Sequence, residues 1–432
     1  MREMNSAVTR GNKPHDVRCN NQRAVIQLLY QHGEMALPEI AEHLGLSRTA
    51  VMKIARELTK QNLLTESGKR LSSKNGGRPP TLFTVNRDYR YAVAILINPL
   101  DFDCTLMDMW YEPRMQIHQE FTAEELSDRG AMILAIATAF DRLMEEMCLT
   151  RDDACGVAVM VKGVVDVEGG VVVFPIGTEW EANMPMRDDL AEALGFEVPV
   201  FIENACRYMG YAELLSFPAY RDELIVVIAS GPHGVGGCVV DHGNLSHGAN
   251  GFVGEIGHMI VDPFSRRLCD CGSLGCLEAL INKTAVIDYA MEFAADYQES
   301  ELSEKARSQR LYDEKDVFDA ADRGDALACK VMDILALYLA VGIHNIMVTV
   351  DPNRVVLVGR FCLMGDYFLN KLRKELTLFP KFVLDSPTEI VLSNYRGTQN
   401  ELTACMRGAA CYAITQYLQD MEKHSKSEIA SR

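Results

Sequence analysis

The sequence predicts an α/β protein, with a small basic helical head followed by a large acidic body in which strands and helices alternate. Three observations carry this expectation. The chain has 432 residues, enough for two or three domains and a large core. Its 48% apolar and 24% charged content is ordinary globular composition and excludes wholesale disorder. Its charge is divided: residues 1–90 hold 15 Lys/Arg against 8 Asp/Glu, whereas the whole chain carries a net charge of −17. That division suggests that one part meets nucleic acid and the rest does not.

The head, residues 1–88, reads element by element. Ala24, Val25, Ile26, Leu28 and Leu29 give an apolar helix face that Gly33 ends. Leu37 to Leu44 repeats the helical spacing through Ile40, Ala41 and Leu44. Gly45-Leu46-Ser47 is then a tight turn, with Ser47 suited to cap a second helix from Arg48 to Gln61. That helix buries Val51, Ile54, Ala55 and Leu58 and shows Arg48, Thr49, Met52, Lys53 and Arg56 on its other face. Leu63–Thr65 and Thr81–Val85 read as strands around a Gly/Ser/Lys-rich hairpin from Ser67 to Pro80. Helix, glycine turn, cationic helix and hairpin make a winged helix-turn-helix. Its DNA-binding residues are then Ser47, Arg48, Thr49, Met52, Lys53 and Arg56, with Arg78 reaching a minor groove from the wing. A lysine-bearing helical hairpin alone would equally suit a solvated surface; the wing and the charge division favour DNA.

The body, residues 89–432, alternates β-rich runs (Tyr91–Ile97, Cys104–Met109, Gly156–Val161, Val198–Ile202, Leu224–Ala229, Gly237–Asp241 and Val355–Val358) with helical ones. Helices are expected at Ala131–Met147, Leu190–Leu194, Arg207–Leu215, Leu327–Asn345 and Glu401–Leu418, which completes the α/β pattern. Val331 to Val350 is as long as a membrane span, but Asp333, His344 and Asn345 would be costly in lipid, so a buried helix is expected. The polar N-terminus lacks the apolar core of a signal peptide. Thirteen cysteines, ten of them scattered singly, argue against a disulfide framework. A cytoplasmic protein without a membrane segment is the expectation.

The most informative stretch runs from Gly254-Glu255-Ile256-Gly257-His258 to Cys269-Asp270-Cys271-Gly272-Ser273-Leu274-Gly275-Cys276-Leu277-Glu278. Three thiols at C-x-C-x4-C with a histidine upstream form the closed four-ligand shell of structural zinc: His258, Cys269, Cys271 and Cys276. Gly272 and Gly275 allow the tight turns that bring three sulfurs to one centre. Buried thiols or a redox pair are the alternatives, disfavoured in a reducing compartment.

With these residues in view, the sequence resembles the ROK family of repressors and sugar kinases. Its signature has this G-E-x-G-H and C-x-C-G-x-x-G-C-x-E arrangement, and the head is similar to that of the xylose and N-acetylglucosamine type repressors. Val159 to Phe174, Asn183 to Met186 and Gly243 to His258 support the match. The resemblance implies an actin-like ATPase (ribonuclease H-like) fold of two lobes with a sugar cleft lined by Asn204, Glu255, His258 and Glu278, and Asn183 nearby. Carboxylates accept from vicinal hydroxyls and asparagine both donates and accepts, which suits a polyol.

The kinase half of the resemblance breaks down. The first phosphate loop reads Leu96-Ile97-Asn98-Pro99-Leu100, without its Asp or glycines. The Asn-Asp pair whose Asp takes the sugar proton reads Asn204-Ala205, and alanine is no base. The second loop reads Pro232-His233-Gly234-Val235-Gly236-Gly237-Cys238, and a later glycine pair is Gly359-Arg360. Arg207 replaces a small polar residue and is expected in a surface salt bridge, with a carboxylate or phosphate on the ligand as its alternative partner. These losses predict a sensor that no longer phosphorylates, not an enzyme. The resemblance therefore implies a repressor with operator DNA and a sugar or sugar derivative as partners, structural zinc as cofactor, and a homodimer or dimer of dimers. A sugar kinase with a DNA-binding head is the rival, with Asp166 or Glu203 as a substitute base. A module that docks a protein partner is a third reading.

Overall fold

The computed structural model describes residues 14–69, 80–176, 180–195, 198–231, 234–308, 311, 313–379, 388–396 and 398–430. In the head, α1 (Pro14–His32) leads through β1 (Met35–Ala36) into α2 (Leu37–Leu44) and α3 (Arg48–Lys60); β2 (Leu64–Lys69) and β3 (Thr81–Val85) follow. Local chemistry sets the turn. Glu39 accepts the Ala36 N–H at 3.0 Å, and Gly45 ends α2 at φ +61°, a region that favours glycine. Ser47 then caps α3 by accepting the Ala50 N–H at 3.2 Å. The three strands pair antiparallel in the order β1-β3-β2. Arg78 and most of the hairpin lie outside the described residues.

The body builds one plan twice. The first lobe has β4 (Tyr91–Ile97), β5 (Asp101–Met107), β6 (Pro113–Glu120), α4 (Ala123–Ser127), α5 (Arg129–Glu146), β7 (Ala154–Val161), the hairpin β8 (Gly163–Asp166) and β9 (Val171–Pro175), α6 (Met186–Ala193), β10 (Val200–Asn204) and α7 (Ala205–Ser216). Its sheet order is β10-β7-β4-β5-β6, with β4, β7 and β10 parallel and β5 and β6 antiparallel. The second lobe has β11 (Leu224–Gly231), β12 (Gly234–Asp241), β13 (Asn244–Leu245), α8 (Leu277–Ile281), α9 (Lys283–Phe293), α10 (Glu301–Arg307), α11 (Glu314–Asp322), α12 (Ala326–Thr349), β14 (Arg354–Gly359), α13 (Gly365–Leu376), β15 (Glu389–Arg396) and α14 (Thr398–Ala430). Its sheet reads β15-β14-β11-β12-β13 with the same pattern of directions. Two such sheets, each three antiparallel strands continued by two parallel ones, are the actin-like fold. β4 and β7 are apolar along almost their whole length because helices cover both faces.

Helix α14 returns to the first lobe and packs on α7, β7 and β4. Gly408 permits this close approach, since a side-chain carbon there would sit 1.8 Å from Tyr208 O. Helix α12 is long and apolar enough to cross a membrane. It lies instead in the second-lobe core, where Val331, Leu335, Leu339 and Ile343 are fully buried.

The head is seated on the body. The β5–β6 turn presents Trp110 and Tyr111 to the Tyr30 ring, both at 5.3 Å between centroids. Tyr30 donates to Met109 O at 2.8 Å and Trp110 Nε1 to Val85 O at 3.0 Å. At the far end of α14, Arg23 donates to Gln419 O at 2.6 Å. The boundary expected at residue 88 falls in the turn between β3 and β4.

Candidate functional site: a DNA-reading helix, an interlobe cavity and a thiol cluster

The face of α3 that carries Arg48, Thr49, Met52, Lys53 and Arg56 is exposed, while Val51, Ile54, Ala55 and Leu58 are buried. Glu57, on the flank, is tied to Arg18 at 2.8 Å. The cationic side of α3 is therefore free to enter a major groove with Ser47 at its leading end.

Between the lobes lies a cavity of about 520 Å³. Asn204, Glu255, His258 and Glu278 all line it, as the sequence suggests. Asn183 does not; it sits exposed at φ +61° beside β9, its N–H on Val173 O. Ala205 faces the cavity where the kinase base would stand, and Asn98 and Pro99 of the altered first loop line the same space. The strands β11 and β12 turn at Gly231 and Gly234; Pro232 and His233 between them lie outside the described residues.

Each polar residue is held in place. Asn204 caps α7 by accepting the Cys206 N–H at 2.9 Å, and its amide donates to Gly163 O at 2.8 Å. Glu278 is 4% exposed: Oε2 accepts the Val235 N–H at 2.8 Å, and Oε1 lies 3.5 Å from Cys269 Sγ. Burial pushes the Glu255 carboxyl up to about 7; Arg207, 3.7 Å away, opposes this, and Glu203 and Glu278 reinforce it.

Arg207 corrects an expectation. It is not a surface residue but 1% exposed, because α7 carries it inward beneath the 247–255 loop. It pairs with Glu203 Oε1 at 3.0 Å and donates to the carbonyls of Gly251 and Val253. Glu203 Oε2 in turn meets His247 Nε2 at 2.6 Å. Glu203, whose Oε1 also accepts the Asn204 N–H at 2.8 Å, is thus committed to three partners, and exposed Asp166 accepts the Gly169 N–H; neither lines the cavity. Sequence reasoning also missed Asp103 and Lys162 as lining residues. A signal existed for Asp103, a carboxylate that with Thr105 alternates with apolar Phe102, Cys104 and Leu106 in a buried strand, where polar side chains need a reason to be buried.

Beside the cavity, His258, Cys269, Cys271 and Cys276 offer one donor atom each, all within 4.8 Å of one another. His258 Nδ1 is 3.4 Å from Cys269 Sγ, and Cys271 and Cys276 sulfurs are 3.7 Å apart. Gly275 at φ +73° makes the hairpin possible, since any side chain there would strike Asp262 O. The cluster can hold a metal ion. No disulfide is formed by any of the thirteen cysteines.

At the end of β14, Arg360 is buried, with Glu314 Oε1 at 2.7 Å and Ser230 Oγ at 2.7 Å.

A two-lobed sugar-kinase-like body with a winged DNA-binding head defines a class, and the comparisons agree. A winged helix-turn-helix DNA-binding model matches residues 20–65. The chain belongs to the ROK family, whose model matches residues 110–416. It is 30% identical to a glucokinase of Halalkalibacterium halodurans over 58% of this chain and 76% of that one. It is 25% identical to the xylose repressor of Bacillus subtilis over 83% and 86%, and 27% identical to the transcriptional dual regulator NagC of Escherichia coli over 78% and 80%. Among solved structures, a ROK family transcriptional regulator homologous to the Escherichia coli MLC protein superposes with a TM-score of 0.74 at 23% identity, covering 94% of this chain and 97% of that one. The Streptomyces griseus ROK glucokinase has a TM-score of 0.59 at 22% identity, covering 74% and 98%.

Proposed function

We propose that the chain is a sugar-responsive transcriptional repressor whose kinase-like body senses its ligand without phosphorylating it. The observation that carries this is the pairing of an exposed cationic α3 with a cavity that keeps Asn204, Glu255 and His258 but has Ala205 in place of the base. The relatives matched over about four fifths of both chains are a repressor and a transcriptional regulator. Without a base, and with the Asp and glycines of the first phosphate loop missing, phosphoryl transfer lacks both proton acceptor and phosphate positioning. DNA contacts fall to Ser47, Arg48, Thr49, Met52, Lys53 and Arg56, with Arg78 of the wing expected beside them, and ligand hydroxyls to Asn204, Glu255 and His258; Asn183, outside the cavity lining, leaves the ligand set. Glu278 supports the site from behind.

The thiol cluster is proposed to hold structural zinc. Two thiolates 2.3 Å from a tetrahedral zinc stand about 3.8 Å apart, close to the 3.7 Å between Cys271 and Cys276. His258 Nδ1 would take the metal, and Nε2 would face the cavity with its tautomer fixed. Zinc here supplies rigidity to the ligand-bearing loop, not Lewis-acid chemistry, since four protein ligands close its shell. A homodimer or dimer of dimers follows from the need of such heads for two half-sites.

The test is operator binding by the full chain, by fluorescence anisotropy, with and without each sugar of a panel, beside a coupled ATP assay on the same sugars. Sugar-dependent operator affinity without turnover supports the sensor. Sustained phosphorylation of any sugar would establish the kinase reading instead, the one that the glucokinase relative favours.

A further inference from the structure

We infer that Asp101, Asp103 and His118 form a divalent-metal site at the wall of the interlobe cavity, separate from the thiol cluster. The inference goes beyond the sensor reading and does not depend on it, because it concerns the ion alone.

Strand geometry brings the three donors together. Asp101 and Asp103 are two residues apart on β5 and so share one face of the sheet. Asp103 stands directly opposite His118 of the edge strand β6. One donor atom from each of the three lies within 4.8 Å of the other two. Neighbouring amides hold the carboxylates in place. Asn98 Nδ2 donates to Asp101 Oδ1 at 2.7 Å, and Gln116 Nε2 donates to Asp103 Oδ1 at 2.9 Å, with His118 Nδ1 3.1 Å from that same oxygen. Among the described residues neither Oδ2 atom receives a hydrogen bond, so each carboxylate is gripped by one oxygen and offers the other. Such outer partners are what orient the ligands of a metal.

The surroundings favour a cation for a second, independent reason. Asp103 is 7% exposed, and Glu120 stands opposite Asp101 in the β5–β6 register. Like charges opposite one another on a sheet are destabilising, and a buried carboxylate calls for a compensating charge. His118 is the one ion-pair partner of these three carboxylates among the described residues, and no lysine or arginine there reaches them. Thr105 follows Asp103 on the same face of β5; it is 2% exposed, and its hydroxyl oxygen has no hydrogen-bond partner among the described residues. A buried oxygen left in this way suits a water carried by a bound ion.

The site differs in kind from the thiol cluster. Two carboxylates and an imidazole suit a cation of intermediate hardness such as Mn2+, whereas three thiolates select a soft one. Three protein ligands leave coordination positions open to water or to an oxygen of a cavity ligand, and Asp103 lines that cavity. His118, with its side chain 55% exposed, gives the ion a path in from solvent.

Mn2+ is the probe, titrated into the full chain and followed by electron paramagnetic resonance, with Mg2+ in excess to occupy loosely held surface carboxylates. The expected result is saturable binding of one Mn2+ per chain, weakened at least about tenfold by Asp103→Asn and by His118→Ala, and unchanged in Cys271→Ser. Thermal unfolding confirms that each variant is folded; His118→Ala tests the site from the exposed strand without disturbing the buried wall. Absence of saturable Mn2+ binding overturns the site. So does binding that survives both Asp103→Asn and His118→Ala, or that disappears in Cys271→Ser while both of those variants keep it.

Discussion

Glu278 accepts the backbone N–H of Val235 at 2.8 Å with one carboxylate oxygen and places the other 3.5 Å from Cys269 Sγ. One side chain therefore ties the glycine-rich turn of the second lobe to the thiol loop. The fit is close: a side chain on Gly234 would strike Glu278 Oε2 at 2.0 Å. The glycine-rich turn is closed on the protein's own carboxylate, which links the cavity wall to the thiol loop.

This linkage sets the consequence of losing the metal. Cys271→Ser should release about one zinc per chain and lower Tm, because the binding free energy of a structural metal is part of the folding free energy. Elemental analysis with thermal unfolding checks it. Full zinc content in the variant would show that the ion sits elsewhere or is absent from the wild-type shell.

The exposed face of α3 gives a second expectation. Arg48→Ala should weaken the operator by roughly 1–3 kcal/mol and relax specificity at one position if it reads a base. Lys53→Ala should weaken all sequences alike and make the salt dependence shallower, as loss of a phosphate contact does. Binding isotherms on operator and scrambled DNA across a salt series separate the two. Operator binding by residues 91–432 alone, equal to that of the full chain, would remove the head from the argument.

Burial pushes the Glu213 carboxyl up to about 7, partly offset by the Ser393 hydroxyl, which donates to Oε1 at 2.5 Å. Glu213 Oε2 has no hydrogen-bond partner among the described residues. A carboxyl whose folded pKa lies above its unfolded value gives stability that is complete below about pH 4.5 and is lost as pH rises through about 7. Glu213→Gln cannot ionise, so its stability relative to wild type should rise between pH 5 and pH 8, by roughly 1–3 kcal/mol. Urea unfolding at the two pH values measures this. A constant difference would mean that the carboxyl does not titrate in that window.

The parts of the molecule that were legible in the sequence are those whose cause is local. The α2–α3 turn was readable because Gly45 and Ser47 carry their own conformational reasons, and the thiol cluster because its ligands lie within 19 residues of one another. The duplicated sheets were not readable, since β4 pairs with β7 across some sixty residues and no short repeat betrays the plan. Strand β6 escaped because it is an edge strand with Ile117 as its single buried residue. Helices α9, α10, α11 and α13 were passed over as well. The Arg207–Glu203–His247 network needed the tertiary fold: Glu203 and Arg207 are four residues apart, but His247 lies 40 beyond Arg207 and joins them only when α7 lies beneath the 247–255 loop.

The seat of the head on the body supplies the last expectation. Helix α14 lines the cavity through Leu402 and Cys405 and reaches the head some four turns further on, where Gln419 O receives Arg23, next to Tyr417 on Tyr89 at the head–body junction. Twelve helical residues between Cys405 and Tyr417 span about 18 Å. Strand β5 makes a second link, with Asp103 at the cavity and the Trp110 turn beyond its end. Trp110 packs against Tyr30, bonds to Val85 O and lies under Arg87, so it joins head and body without touching DNA or ligand. Trp110→Ala should leave the α3 face intact and change ligand-free operator affinity little. The ligand's effect on that affinity, for which coupling of about 1–3 kcal/mol is usual, should fall sharply. Because coupling is reciprocal, operator DNA should also stop altering sugar affinity in the same variant. Titrating sugar with and without operator, in wild type and variant, measures both sides of the cycle. Undiminished coupling in a folded Trp110→Ala protein would place the transmission outside this contact.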